Sequence, residues 1–216
     1  MHRRMTCIGV SALALLLFLS GGALFAQESV EQYLLDMQDP AQEDYVKLIY
    51  EGDRENVLWA ITKLREMKAS GEEVVDALIF GLQQGTFFVR REYNKVVNDW
   101  WDVRSASAEA LGVIGDPRAI YHLHAALRFD PDVYVRTSVA LGLGRMGQEE
   151  SIPQLSRAIE TSSTAGPDDQ LVRACVIALG EIGHRDAFVP LVEVMRGGFR
   201  RSIKIAARDS LKRIQW

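Results

Sequence analysis

Four stretches of the chain superpose without a gap: "VRSASAEALGVIG" from Val103, "VRTSVALGLGRMG" from Val135, "LVRACVIALGEIG" from Leu171 and "IKIAARDSLKRIQ" from Ile203. Their starts lie 32, 36 and 32 residues apart. Counted from each start, offset eight is always leucine (Leu111, Leu143, Leu179, Leu211), and offset eleven is Ile114, Met146, Ile182 or Ile214. Offsets three and seven hold small residues: Ala106 and Ala110, Ser138 and Gly142, Ala174 and Ala178, Ala206 and Ser210. With offsets zero and four these positions form one stripe of a helix. A unit of this length cannot bury such a stripe alone, so the repeat predicts an array in which each helix is covered by the next.

Two glycine positions refine the unit. Gly112, Gly144 and Gly180, at offset nine, each cost about 1 kcal/mol relative to alanine inside a helix. Three in register predict a crossing too close for a Cβ. Gly115, Gly147 and Gly183, at offset twelve, fit the left-handed residue that ends a helix, and Asp116-Pro117 reads as the cap and first residue of the next. The following segments carry second helices, with apolar faces Ile120, Leu123, Leu127; Ile152, Leu155, Ile159; and Phe188, Leu191, Met195. Pro153 and Pro190 fall near the helix starts, where donors lack intrahelical acceptors and proline is tolerated.

The pieces "VRSASAEALGVIGDPRAIYHLHAAL", "VRTSVALGLGRMGQEESIPQLSRAI" and "LVRACVIALGEIGHRDAFVPLVEVM" resemble HEAT-type repeats, in the short form found in phycobilisome lyase subunits and many bacterial proteins. The resemblance implies an all-α fold, a right-handed α-solenoid of about five helix pairs, and says little about function. Its Val-Arg pair stands at Val103-Arg104 and Val135-Arg136, is displaced by one at Arg173, and becomes Lys204 in the last unit. Residues 103–216 are thus HEAT-like repeats closed by a C-terminal half-repeat cap. Upstream, Val57 to Met67 followed by Val75, Leu78 and Leu82 keeps the two-helix spacing, giving a degenerate repeat over 56–85. Residues 27–55 read as N-terminal capping helices, and 86–102 as an insertion whose conformation the spacing leaves open.

Arg3 and Arg4 precede an apolar run from Cys7 to Leu19 and a small-residue stretch ending at Ala26, the layout of a secretory signal peptide over 1–26. The same 20 residues from Cys7 to Ala26 are long enough for an uncleaved anchor. Either way the chain is expected in the periplasm or secreted, or membrane-anchored and facing the periplasm. Without residues 1–26, 23 basic residues face 29 acids, which argues against nucleic-acid binding. Cys175 alone then remains, so no disulfide within the chain is expected.

Residues with chemistry are few. HEAT-like deoxyhypusine hydroxylases hold metal on His-Glu pairs, whereas here His122 is followed by Leu, His124 by Ala and His184 by Arg. His122 and His124 point about 200° apart on a helix and cannot share a metal by themselves. Neither paired carboxylates nor a phosphate loop nor a nucleophile motif stands out. The chain is therefore expected to be non-enzymatic, with no cofactor and no metal.

What remains points to binding. Trp100 and Trp101, about 100° apart on a helix, cannot both enter one core, so one is expected buried and one exposed. By register Tyr121, His124 and Arg128, then Ser156 and Glu160, then Val192 and Arg196, are expected along a concave face formed by the second helices. Gln27 to Glu55 holds nine acids against two basic residues, and Arg196 to Arg213 seven basic residues against one acid. Arg200, Arg201 and Lys204 in that basic end predict a protein partner with an acidic surface, with head-to-tail self-association as one form of it and membrane contact only if the signal segment is retained. The resulting expectation is a scaffold for protein–protein interaction in a cell-envelope assembly. The alternative is a chaperone-like or lyase-like module that grips a protein client during maturation.

Overall fold

In three successive units the first helix stops at a glycine that turns left-handed. The computed structural model describes residues 40–216. It contains ten α-helices among the described residues: α1 (Gln42–Glu51), α2 (Arg54–Glu66), α3 (Glu72–Leu82), α4 (Trp101–Ile114), α5 (Ile120–Phe129), α6 (Val133–Met146), α7 (Ile152–Glu160), α8 (Asp169–Ile182), α9 (Phe188–Arg196) and α10 (Arg201–Leu211). The expected signal segment and the first part of the expected cap lie outside the described residues. Helices α4, α6 and α8 end at Gly115, Gly147 and Gly183, with φ of 74°, 68° and 66°. The amides of these glycines reach back to the carbonyls of Leu111, Leu143 and Leu179, the usual way to satisfy a helix end. A 3₁₀ turn then leads directly into the second helix, and in the first unit Asp116 caps it by accepting from the Arg118 amide at 2.9 Å.

The first helices α2, α4, α6, α8 and α10 stack in one row, and α3, α5, α7 and α9 each pack against the first helix of the following unit. This is an all-α solenoid. Leu111, Leu143 and Leu179 are fully buried between the rows, as are Leu123, Leu155 and Leu191 from the second helices. Each such leucine contributes roughly 1.5–3 kcal/mol of burial. The expected face of α9 needs correction: Phe188 and Met195 are each 37% exposed, and Val194 is buried instead. Helix α10 packs on α9, and Phe188 stacks on Trp216 with ring centroids 5.2 Å apart.

The offset-nine glycines meet offset seven of the next unit. A Cβ on Gly112 would collide with the backbone of Gly142, one on Gly144 would lie 2.6 Å from the Ala178 Cα, and one on Gly180 would lie 2.8 Å from the Ser210 Cα. First helices therefore approach to backbone contact, while clefts open between α5 and α7 and between α7 and α9. The small residues that allow this close approach all belong to the first helices, which therefore form the closely spaced row.

The 86–102 segment is neither a helix nor a plain loop. Strands β1 (Arg91–Glu92) and β2 (Lys95–Val96) pair antiparallel, joined by Tyr93 and Asn94, both with positive φ, as a two-residue hairpin turn requires. Buried Asn98 anchors the hairpin: its Nδ2 donates to the Gln84 Oε1 and the Phe88 carbonyl, both at 2.8 Å, and its Oδ1 accepts from the Arg90 amide at 2.8 Å. Trp101 already belongs to α4.

Candidate functional site

The cleft between α5 and α7 gathers more unpaired positive charge than any single helix carries. Arg128 from α5, Arg136 from α6 and Arg157 from α7 line a cavity of about 320 Å³, with Gln154 and Thr161 at its rim and Leu127 and Ala158 as apolar wall. No ion pair within 4.0 Å involves any of these three arginines among the described residues. Arg136 Nε is buried and makes no hydrogen bond to the protein. The Arg128 guanidinium lies over the Phe129 ring, 4.9 Å from its centroid. His124 completes the wall, half-buried, with Nε2 3.0 Å from Ser151 Oγ. Burial holds its imidazole below the ordinary value of 6.5, against a weaker opposing pull from Glu150, so at neutral pH the ring is uncharged. The next cleft, about 200 Å³ between α7 and α9, carries Glu160 and Glu193 with Ser156. Adjacent clefts along one row thus have opposite polarity.

A second feature is aromatic. Trp100, the residue before α4, is half-buried, whereas Trp101 is 44% exposed and its ring lies 5.7 Å from that of Tyr134 at the start of α6. Along the insertion Phe87, Phe88, Val89 and Tyr93 are exposed, interleaved with exposed Arg90, Arg91 and Lys95. Tyr121 stands out from α5 at 76% exposure. These residues do not join the α5/α7 cleft.

The HEAT-repeat family profile matches residues 96–166 and 126–212, together more than half of the sequence. The chain belongs to the HEAT-repeat family. Among solved structures it is similar to the complex of CpcE and CpcF of phycocyanin lyase from Nostoc sp. PCC7120, with a TM-score of 0.66 at 23% identity, covering 83% of this chain and 67% of that one. That likeness establishes the fold alone. A search of curated proteins finds no significant match.

Within this HEAT array the Val-Arg arginines have unlike fates. Arg104 is 1% exposed; its Nε donates to Asp130 Oδ2 at 2.8 Å, and its Nη1 to Asp99 Oδ1 at 2.8 Å and to the Gln84 carbonyl at 2.9 Å. It ties the hairpin to the loop before α6. Arg136, at the same repeat position, has no such carboxylate, and Arg173 is exposed. In the basic end, Arg200 is engaged with Asp169 at 2.9 Å and Lys212 with Asp209 at 2.8 Å. Arg196, Arg201 and Arg213 remain exposed, and Lys204 is half-covered. The two histidines of α5 serve different neighbours, since His122 Nδ1 lies 3.2 Å from Gln83 Nε2. Cys175 is fully buried, and burial pushes its thiol up to about 12, which leaves it unreactive as a nucleophile.

Sequence reasoning placed His124 and Arg128 among the candidate residues but missed Arg136 and Arg157. Nothing along one helix marks them as a set, because the three arginines come from three helices. The expectation that one of Trp100 and Trp101 is buried and the other exposed is seen in part: Trp101 is the exposed one, and Trp100 is only half-covered.

Proposed function

We propose that this HEAT-repeat chain is an exported, non-enzymatic scaffold that binds a protein partner with an acidic surface in a cell-envelope assembly. The observation that carries the reading is the hairpin and the residues leading into it, where exposed Phe87 and Tyr93 lie beside exposed Arg90, Arg91 and Lys95, with Glu92 the one acid from 87 to 95. An aromatic side chain that buries about 150–250 Å² on contact supplies affinity, and arginine beside it selects an acidic surface. Trp101 with Tyr134 extends the aromatic surface onto the solenoid. The signal-like residues 1–26 support export, with retention as an anchor the variant reading. The likeness to a phycocyanin lyase complex favours a second reading, a module that grips a client transiently.

The test is recovery of partners from cell-envelope extracts with the wild-type chain and with Phe87→Ser/Arg91→Glu/Tyr93→Ser. A scaffold returns the same partner in fixed ratio over repeated preparations, and the triple variant loses most of it. A changing set of clients favours the transient module. Undiminished recovery with the variant removes the hairpin from the interface.

A further inference from the structure

We propose that the α5/α7 cleft is a binding site for a small oxyanion carrying two or more negative charges, of the phosphate or polycarboxylate class. It stands independently of the partner-binding reading above.

Arg104 and Arg136 both occupy offset one of a first helix. In the first unit, the loop that follows α5 turns Asp130 inward, and its two carboxylate oxygens take the Arg104 Nε and Nη2 at 2.8 and 3.4 Å. The equivalent loop after α7 offers Arg136 nothing of the kind. Its acids are used elsewhere: Asp168 accepts from the Ser163 amide at 2.9 Å, and Asp169 pairs with Arg200. The fold therefore builds the same inward arginine twice and supplies an oxyanion only once. A guanidinium is a rigid fork of donors suited to two oxygens at a time, and a buried N–H left without an acceptor is destabilising, more so when charged.

The surroundings fit an anion from outside. Arg128 and Arg157 add two further guanidiniums across the same cavity, so three positive charges converge with no acid among the lining residues. Water would satisfy the Arg136 donor but not this charge. Neutral His124, Gln154 and Thr161 provide hydrogen-bonding groups beside them. At about 320 Å³ the cavity exceeds the roughly 30 Å³ share of one water tenfold, and it accommodates a group the size of pyrophosphate or citrate. The neighbouring α7/α9 cleft, with Glu160 and Glu193, repels the same ligand, which confines it to one position in the array.

Isothermal titration of the full chain with pyrophosphate and, separately, with citrate at about 50 mM salt tests this. Saturable one-site binding is expected for at least one of them. Charge-assisted hydrogen bonds contribute about 1.5–3 kcal/mol, so Arg136→Gln and Arg157→Gln should each weaken binding by about 10- to 100-fold. Arg185→Gln, on the turn before α9, should leave it unchanged. Tighter pyrophosphate identifies the phosphate class and tighter citrate the polycarboxylate class. Thermal melts accompany each variant; if Arg136→Gln does not fold, Arg157→Gln and Arg128→Gln, both at exposed positions, carry the comparison. Absence of saturable binding by both anions, or affinities that these arginine variants leave unchanged, overturns the proposal.

Discussion

Gly144 on α6 and Ala178 on α8 touch so closely that a Cβ built on the glycine would lie 2.6 Å from the alanine Cα and 2.8 Å from its Cβ. The contact is backbone against backbone and cannot be relieved by turning a side chain. Gly144→Ala should therefore destabilise the chain by about 1–3 kcal/mol from overpacking, even though alanine is intrinsically better in a helix by about 1 kcal/mol. Thermal or urea unfolding measures it. A gain in stability would mean that α6 and α8 are farther apart than described.

Arg104 and Asp130 form a buried pair whose members are 1% and 2% exposed at the side chain. Removing one partner strands the other, so Arg104→Met should cost about 3–5 kcal/mol, and Arg104→Met/Asp130→Leu should recover a substantial part of it. A double variant no more stable than the single one would show that the tie to the hairpin through Gln84 and Asp99, rather than the ion pair, is what matters.

His124 gives the acid side of the stability profile a definite sign. Its folded-state pKa is held below 6.5 by burial, so the folded chain binds a proton there less readily than the unfolded chain. Its contribution to stability is present above 6.5 and is lost as pH falls through the lowered folded value. Relative to His124→Gln, the wild type should lose stability as pH falls through and below 6.5. An NMR titration placing the His124 imidazole above 6.5 contradicts this.

The basic end should act through the cations that the fold leaves exposed. Reversal of Arg196, Arg201 and Arg213 to Glu should reduce recovery of an acidic partner with the helical signal and melting temperature nearly unchanged. Arg200 does not belong in that set, because it is paired with Asp169 and lies against Gly166, and reversing it would disturb the loop before α8. Raising salt from about 50 to 500 mM should weaken the same binding, since screening shortens to a few ångströms. Recovery that falls with salt but is indifferent to the reversal would place the contact at the hairpin, with its Arg90, Arg91 and Lys95.

The array was legible in the sequence because its determinants are local and periodic. Leucine at offset eight, glycine at offset twelve and small residues at offsets three and seven specify helix, stop and close approach within a single unit, and repetition turns one unit into a row. The hairpin was not legible: Tyr93-Asn94 lacks the glycine that usually announces such a turn, and its short strands are held by Asn98, whose partners are Gln84, Phe88 and Arg90. Tertiary structure alone decided that clefts open between successive second helices, because that depends on the spacing between helices of different units. It also decided that Arg104 finds a carboxylate while Arg136 faces a cleft with Arg128 and Arg157. Periodicity assigns a residue to a face, but the charge that meets it across a cavity comes from another helix.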